Sequence, residues 1–461
     1  MNLHRLLAER AHARKPLKVA LVGAGKFGSM FLSQARRTPG IHVVAVADLD
    51  PVRARSSLQR VGWPAEQYDA KALDQAARIG TTCVTEDALG AIASHAVDVV
   101  IDATGSPAAG IRHALAAAHH GKHIVMVNVE ADALAGPLLA QRAKEAGVVY
   151  TLAYGDQPAL VCEMVDWARA AGFEVIAAGK GTKYLPEYHD STPATVWGHY
   201  GFSEAQVAQG DFNAQMFNSF LDGTKSAIEM AAVANASGLT PAPAGLDFPP
   251  CGVDDLPRVL RPRADGGVLH HRGQVEVVSS LNRDGTPVFR DLRWGVYVTF
   301  AADSDYVRKC FAEYGLVTDD SGNYTAMYKP YHLIGLELGI SVASAGLRRE
   351  PTGAPDDFRG DVVSIAKRDL QAGDTLDGEG GHTVYGRLMP ASESLRIGGL
   401  PIGLAHRVRL TRAVSKGAAL TWNDIEMPHS EAVRVRREME CHYGSRQGGA
   451  RDAEAPALLR G

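Results

Sequence analysis

The sequence predicts an α/β chain: a doubly wound domain at the N-terminus, a central α+β domain, and a small β-rich module near the C-terminus. Three observations carry this. Strands and helices alternate over the first 155 residues, and the strands are almost continuously apolar, the pattern of a parallel sheet covered on both faces. Beyond that point the strands alternate polar and apolar, and the connections are rich in Gly, Pro and Tyr. After the turn-rich stretch PTGAPDDFRGD at 351–361, short segments are separated by glycine turns. The boundaries fall at 1–155, 156–350 and 351–433, with a charged tail over 434–461 whose end reads as disordered. A chain of 461 residues is too long for one core.

The elements follow in order. Leu3, Leu6 and Leu7 stand at helical spacing among His, Arg and Glu, so residues 1–14 read as a short amphipathic helix. They lack the apolar core of a secretory leader. A strand at Leu17–Val22 leads through a glycine turn to a helix ending near Arg37, and His42–Ala47 is the second strand. Residues 51–94 read as mostly helical, Val97–Ala103 as a buried strand, 107–120 as a helix. Strand His123–Asn128, helix 133–146 and strand Val148–Leu152 complete the first domain. In the second, Phe173–Ala178 is a strand, Gly179–Gly201 a polar loop, and about 203–237 a long helical region. Gln274–Ser279, Gly295–Ala301 and Tyr324–Tyr328 read as strands of a mixed sheet, and His332–Leu347 as its closing helix. Two loosely similar stretches, 366–376 and 411–425, build the third module.

Composition excludes several classes. The formal charge is −4 with no concentrated basic stretch, so nucleic acid is not an expected partner. No uncharged run reaches the roughly 18–20 residues that span a bilayer, so no membrane is expected either. Cys83, Cys162, Cys251, Cys310 and Cys441 are scattered without a CxxC pair. That argues against a disulfide framework or a cysteine zinc site and for a reducing, cytoplasmic setting. The histidine pairs His119–His120 and His270–His271 lack a third ligand.

The most specific motif is Gly23-Ala24-Gly25-Lys26-Phe27-Gly28, a GxGxxG between an apolar strand and a helix. Gly23 allows the tight turn, Gly25 lets backbone approach a pyrophosphate, and Gly28 lets the helix pack on the strand. The helix N-terminus then faces the phosphates. The first domain is therefore expected to be a dinucleotide-binding Rossmann domain. Asp48 ends the second strand, 20 residues after Gly28, where a carboxylate accepts ribose hydroxyls and favours NAD. Arg53 and Arg55 leave NADP open. Ala103, Thr104 and Gly105 form a small-residue turn for the nicotinamide ribose, and Asn128 ends a later strand on the same edge.

Hydride transfer at a carbonyl needs an acid or base and a group that positions the oxygen. Lys180 and Lys183 in GKGTK, and Lys225 with Glu229 four residues on, are the catalytic candidates. The Lys225–Glu229 spacing puts both on one helix face. Glu130, Asp156, Asn235, Tyr331 and His332 are candidate substrate contacts. Glu130, Asp156 and Glu163 are the oxygen ligands available for a divalent metal.

Taken together, GAGKFG, VVIDATGSP, HIVMVNVEAD, AYGDQP and AAGKG resemble the homoserine-dehydrogenase-like oxidoreductases. DGTKSAIEMAAVANASGL (222–239), ADGGVL (264–269) and KPYHLIGLELGISVA (329–343) resemble the branch with the second class of 1-deoxy-D-xylulose 5-phosphate (DXP) reductoisomerase. The closing module resembles an SAF domain. The resemblance implies a homodimer with its active site between the first two domains. It also implies NADPH and a divalent metal for the reductoisomerase activity, whereas Asp48 favours NAD. The expected function is an NAD(P)-dependent oxidoreductase acting on a small polar hydroxylated substrate of sugar-acid, polyol or phosphorylated-sugar type, with or without isomerisation. Homoserine dehydrogenase and a DXP reductoisomerase-like enzyme are the alternatives within that class. An NAD-bound sensor or sugar-binding protein is the alternative outside it.

Overall fold

The structure is a computed structural model and describes residues 2–209 and 212–454. The end of the tail expected to be disordered, 455–461, lies outside the described residues. In chain order the elements are α1 (Leu3–His12), β1 (Leu17–Val22), α2 (Lys26–Ala35), β2 (Ile41–Ala47), α3 (Pro51–Arg60), α4 (Leu73–Ile79), β3 (Cys83–Thr85), α5 (Ala88–Ala93), β4 (Val99–Asp102), α6 (Pro107–His119), β5 (His123–Met126), α7 (Val129–Glu145), β6 (Tyr150–Leu152) and α8 (Gln157–Ala170). Then come β7 (Glu174–Thr182), α9 (Val196–Tyr200), α10 (Glu204–Gln209), α11 (Ala214–Leu221), α12 (Thr224–Ser237), α13 (Leu256–Val259), β8 (Gln274–Ser279), β9 (Val296–Ala301), α14 (Asp305–Glu313), β10 (Tyr324–Lys329) and α15 (Gly339–Ala343). The last are β11 (Gly360–Ala366), β12 (Thr375–Asp377), β13 (Val384–Pro390), α16 (Ala391–Ile397), β14 (His406–Leu410), β15 (Ile425–Glu426) and α17 (Glu431–Glu454). They form two compact units, one of Met1–Glu163 with His332–Asp356, the other of Met164–Tyr331 with Asp357–Gly461.

The first unit is a parallel sheet in the order β3-β2-β1-β4-β5-β6, the doubly wound arrangement with a switch point beside β1. Register fixes what meets at its carboxyl edge. Val22 aligns with Ala47 and with Asp102, and Asp102 with Met126. Gly23, Asp48 and Ala103 therefore leave the sheet side by side. Val19, Leu21, Val46, Val99 and Ile101 fill the layer against Phe31, Leu32 and Leu58. Helix α7 starts at Val129 rather than 133 because the Asn128 side chain caps it. The three-residue β3 lies inside the stretch read as mostly helical, too short to show a period.

The segment 332–347 differs from its expectation as the second domain's closing helix. It belongs to the first unit, because Leu338, Val342 and Ala343 enter that unit's core. Its α-helix is short and runs on as a π turn over Ser344–Arg348. Gly346 sits where a Cβ would lie 2.8 Å from Leu17.

The second unit holds a mixed sheet, β10-β9-β7-β8, with β7 parallel to β8 and antiparallel to β9. β7 runs on through Thr182, so part of the expected polar loop is strand. Gly179 and Gly181 permit this, since a Cβ on either would strike the carbonyl of Glu276 or Leu292. The long helical region divides into α10, α11 and α12, broken where Asn213 caps α11 and where Gly223 takes φ +87°. The antiparallel β11–β13 pair and the β12-β14-β15 sheet stay in the same unit. Of the tail expected to be charged and partly disordered, residues 434–454 are helical. Val435, Met439 and Tyr443 form a buried stripe on α17, and fully buried Arg436 makes two hydrogen bonds to Asp361. No helix among the described residues is long and apolar enough to cross a membrane.

On α7, fully buried Asp132 accepts a hydrogen bond from the Tyr150 hydroxyl at 2.8 Å, while its other oxygen has no partner. Burial pushes its pKa up to about 7. The folded state then holds this proton more tightly than the unfolded chain, whose aspartates titrate near ~3.9. Stability is lost as pH rises from there towards neutrality. Asp132→Asn keeps an acceptor for Tyr150 and removes the titration. Urea unfolding is expected to show the variant more stable than the wild type at pH 8, by about 1–4 kcal/mol, and close to it at pH 4. An unchanged pH slope would contradict this.

Candidate functional site

The glycine turn after β1 is shaped by what surrounds it. Gly23 takes φ +96°, and a Cβ there would lie 2.6 Å from the Ala103 carbonyl. A Cβ on Gly28 would strike the Gly23 carbonyl, while one on Gly25 would meet nothing within 4 Å. Gly25 also caps α2 with no side chain to bond the first-turn amides and no acid in that turn. Lys26 is exposed at the helix start, and Phe27 packs on the core. The turn is tight where it meets protein and open where a phosphate would lie, which fits a dinucleotide.

Asp48 does more than the sequence suggests. One carboxylate oxygen accepts the Ala24 amide at 2.8 Å, and the other accepts the Asp50 amide at 3.0 Å and the Arg53 guanidinium at 2.6 Å. Burial alone would raise its pKa, but these hydrogen bonds hold it below the usual carboxylate range. Three of roughly four acceptor positions are taken. Asp48 thus ties the glycine turn to the end of β2, and Arg53, 61% exposed, stands over it. Arg55 is occupied elsewhere, donating to the Tyr68 carbonyl at 3.0 Å.

The turn after β4 is held by a buried cluster. Asp102 meets His113 Nδ1 at 2.5 Å and the Thr104 hydroxyl at 2.9 Å. Asn128 donates to the Ser106 carbonyl at 2.8 Å, and its oxygen accepts the Ala131 amide. It acts as a helix cap and a brace for Ala103, Thr104 and Gly105, with its amide committed. Glu130 lies in the first turn of α7. Asp156 accepts the amide of Gln157, and exposed Glu163 accepts the Tyr154 hydroxyl. The metal expectation finds no support: among the described residues no three His, Cys, Asp or Glu side chains converge to hold an ion.

In the second unit, Lys180 on β7 and Glu229 on α12 form an ion pair with side chains 5% and 3% exposed. The sequence offered Lys225 as the partner at helical spacing. The pair observed spans 49 residues and follows from the packing of α12 on β7. Lys225, half-exposed, lies one turn before Glu229. Lys183 donates to the His199 carbonyl at 2.6 Å and sits over the Tyr200 ring. Burial, helped by Arg293, lowers its pKa. Asn235 is buried with its side chain spent on Arg359 and Gly360, which corrects its expected role as a substrate contact. Tyr331 is 51% exposed beside Lys329, at the end of the second unit, and His332 begins the first unit's returning segment.

Residues 23–152 match the homoserine dehydrogenase NAD-binding domain, and residues 155–338 match the catalytic domain of the oxidoreductase DRL. The chain thus carries one segment similar to an NAD-binding domain and one similar to an oxidoreductase catalytic domain. A search of curated proteins finds no match. Among solved structures, an NAD-binding oxidoreductase from Klebsiella pneumoniae is similar at 21% identity over 38% of this chain and 45% of that one, with TM-score 0.28. An oxidoreductase from Agrobacterium radiobacter in complex with NAD+, L-tartaric acid and magnesium matches at 18% identity over 36% and 44%, TM-score 0.26. The myo-inositol dehydrogenase of Lactobacillus casei, in complex with NAD(H) and myo-inositol, matches at 14% over 39% and 50%, TM-score 0.28. The chain spans about half the length of these structures or less.

Removing one member of a buried ion pair strands the other. Glu229→Ala is expected to lower the unfolding free energy by about 3–5 kcal/mol, whereas Lys180→Met with Glu229→Leu stays near the wild type. Denaturant titration of the two variants checks this, and equal losses would contradict it.

Proposed function

We propose that this chain transfers a hydride between NAD(P) and a small polar hydroxylated substrate of sugar-acid, polyol or phosphorylated-sugar type. The observation that carries the reading is the carboxyl edge of the parallel sheet, where the Gly23–Gly28 turn, Asp48 and the Ala103–Gly105 turn emerge side by side. The match of residues 155–338 to an oxidoreductase catalytic domain supports the reaction class. The DXP reductoisomerase-like branch, supported by the motifs at 222–239 and 329–343, and the SAF-like nature of residues 351–433, supported by the similar stretches 366–376 and 411–425, are parts of the proposal.

When bound, the nicotinamide supplies or accepts the hydride. The amides at the start of α2 hold the diphosphate, and Asp48 keeps the turn in the shape that presents them. Lys180, held beside Glu229, donates a hydrogen bond to the substrate oxygen and moves a proton as the alkoxide forms or breaks. Lys225 and Lys183 offer further cationic contacts to hydroxyl or phosphate oxygens.

Nucleotide choice lies with Arg53 more than with Asp48. Arg53 can swing its exposed guanidinium to a 2′-phosphate, whereas Asp48 serves either nucleotide by holding the turn. Fluorescence titration of Arg53→Ala is expected to weaken NADPH binding about tenfold or more and to leave NADH near its wild-type affinity. Asp48→Ala is expected to weaken both. Equal loss of the two nucleotides in Arg53→Ala would remove it from the ribose site. Absence of binding to either nucleotide by the wild type would sink the proposal.

For the chemistry, homoserine, DXP and a panel of sugar acids are to be screened with each nucleotide by absorbance. With the compound turned over fastest, the Lys180→Met/Glu229→Leu variant is expected to lose about 10²–10⁴-fold in kcat with nucleotide affinity intact. Retained turnover would take the pair out of catalysis. Tight nucleotide binding without turnover of any compound would favour a sensor.

A further inference from the structure

The helix that carries Lys225 and Glu229 is gripped at both ends by the C-terminal strands. At its start, Lys367, directly after β11, donates to the Ser191 carbonyl at 2.8 Å, to Asp222 Oδ2 at 2.7 Å and to the Gly381 carbonyl at 2.8 Å. An ammonium has three donors, and all three are used. Asp222 is fully buried, and its other oxygen accepts the amide of Thr224, the first residue of α12. The Gly386 amide on β13 donates to the Thr224 hydroxyl at 2.8 Å. At the far end, Asn235 accepts the amides of Arg359 and Gly360 and donates to the Gly360 carbonyl. Between these anchors the strands come close because they carry glycine: a Cβ on Gly360 would lie 3.2 Å from Ala234, and one on Gly386 2.9 Å from Thr224.

A buried, fully hydrogen-bonded ion pair contributes little net stability compared with an apolar pair of the same shape. What it does supply here is one geometry. α12 cannot slide along its axis without stripping Lys367 of its acceptors or Asn235 of its donors. We infer that Lys367, acting through Asp222, is a positioning residue that sets the axial place of α12, so that β11 and β13 form the back wall of the helix bearing Lys225 and Glu229. The β-rich module is thereby part of the catalytic unit rather than an appendage. The inference rests on the proposed hydride-transfer reading for its meaning, but its geometry can be tested apart from it.

Lys367→Met alone leaves Asp222 buried and unpaired, so the test uses Asp222→Asn with Lys367→Met. The amide side chain introduced at position 222 still accepts the Thr224 backbone N–H, and only the clamp is lost. The probe is acetic anhydride, with acetylation of individual lysines followed by peptide mass spectrometry on the full chain. Freed of its clamp, the first turn of α12 is expected to open more often, and Lys225 to be acetylated about threefold faster or more. Exposed Lys309 on α14 should react at its wild-type rate. With the compound found in the substrate screen, kcat should fall about tenfold while the KM for nucleotide holds. An unchanged Lys225 rate overturns the inference, as does a rise shared equally by Lys309, which would report general loosening. Failure of the wild type to bind either nucleotide is a separate outcome: it defeats the proposed function and leaves the labelling result standing.

Discussion

A charge taken out of water must find a counter-charge or hydrogen bonds in compensation, and this chain satisfies that demand between residues far apart in sequence. Asp48 meets the Ala24 amide, Lys180 meets Glu229, Lys367 meets Asp222, and Arg436 meets Asp361. Each pairing leaves one low-energy arrangement for the segments it joins, because any displacement leaves a charge in a medium that cannot solvate it. The apolar layers drive the chain together. The buried polar pairs decide in which register it stops.

The two units divide the work along this line. In the first, the parallel sheet brings three strand ends to one edge, and the polar groups there shape turns: Asp48 the glycine turn, Asp102 with His113 and Asn128 the turn after β4. Most of this network is committed to holding backbone amides in place. In the second, the mixed sheet and α12 bury a lysine against a glutamate where an apolar pair would pack as well. On the proposed function, the first arrangement serves to grip a diphosphate and the second to handle a proton.

Most of the first unit was legible in the sequence because buried parallel strands are nearly all apolar and the glycine motif stands where a strand turns into a helix. The mixed sheet was legible by its alternation. What could not be read was anything decided by distant packing. Lys225 stands at helical spacing from Glu229, so local reasoning pairs them, and only the approach of β7 brings in Lys180. Gly179 and Gly181 look like loop residues and are strand residues, since their lack of a side chain serves the close passage of neighbouring carbonyls. Asn128 and Asn235 read from the sequence either as cleft residues or as marks of a helix end, and their side chains are spent on backbone, a role that a polar side chain at a helix end takes readily. The tail reads as charged and turn-rich, yet one of its first arginines, Arg436, is the largest fully buried side chain among the described residues.

The return of Leu338, Val342 and Ala343 to the first core bears on how the protein is made. The N-terminal sheet emerges from the ribosome with a gap in its apolar layer, and the plug follows about 170 residues later. At ordinary rates of synthesis that is a wait of roughly ten to thirty seconds. During it the nascent sheet carries a wet seam, a binding opportunity for a holdase and a hazard without one.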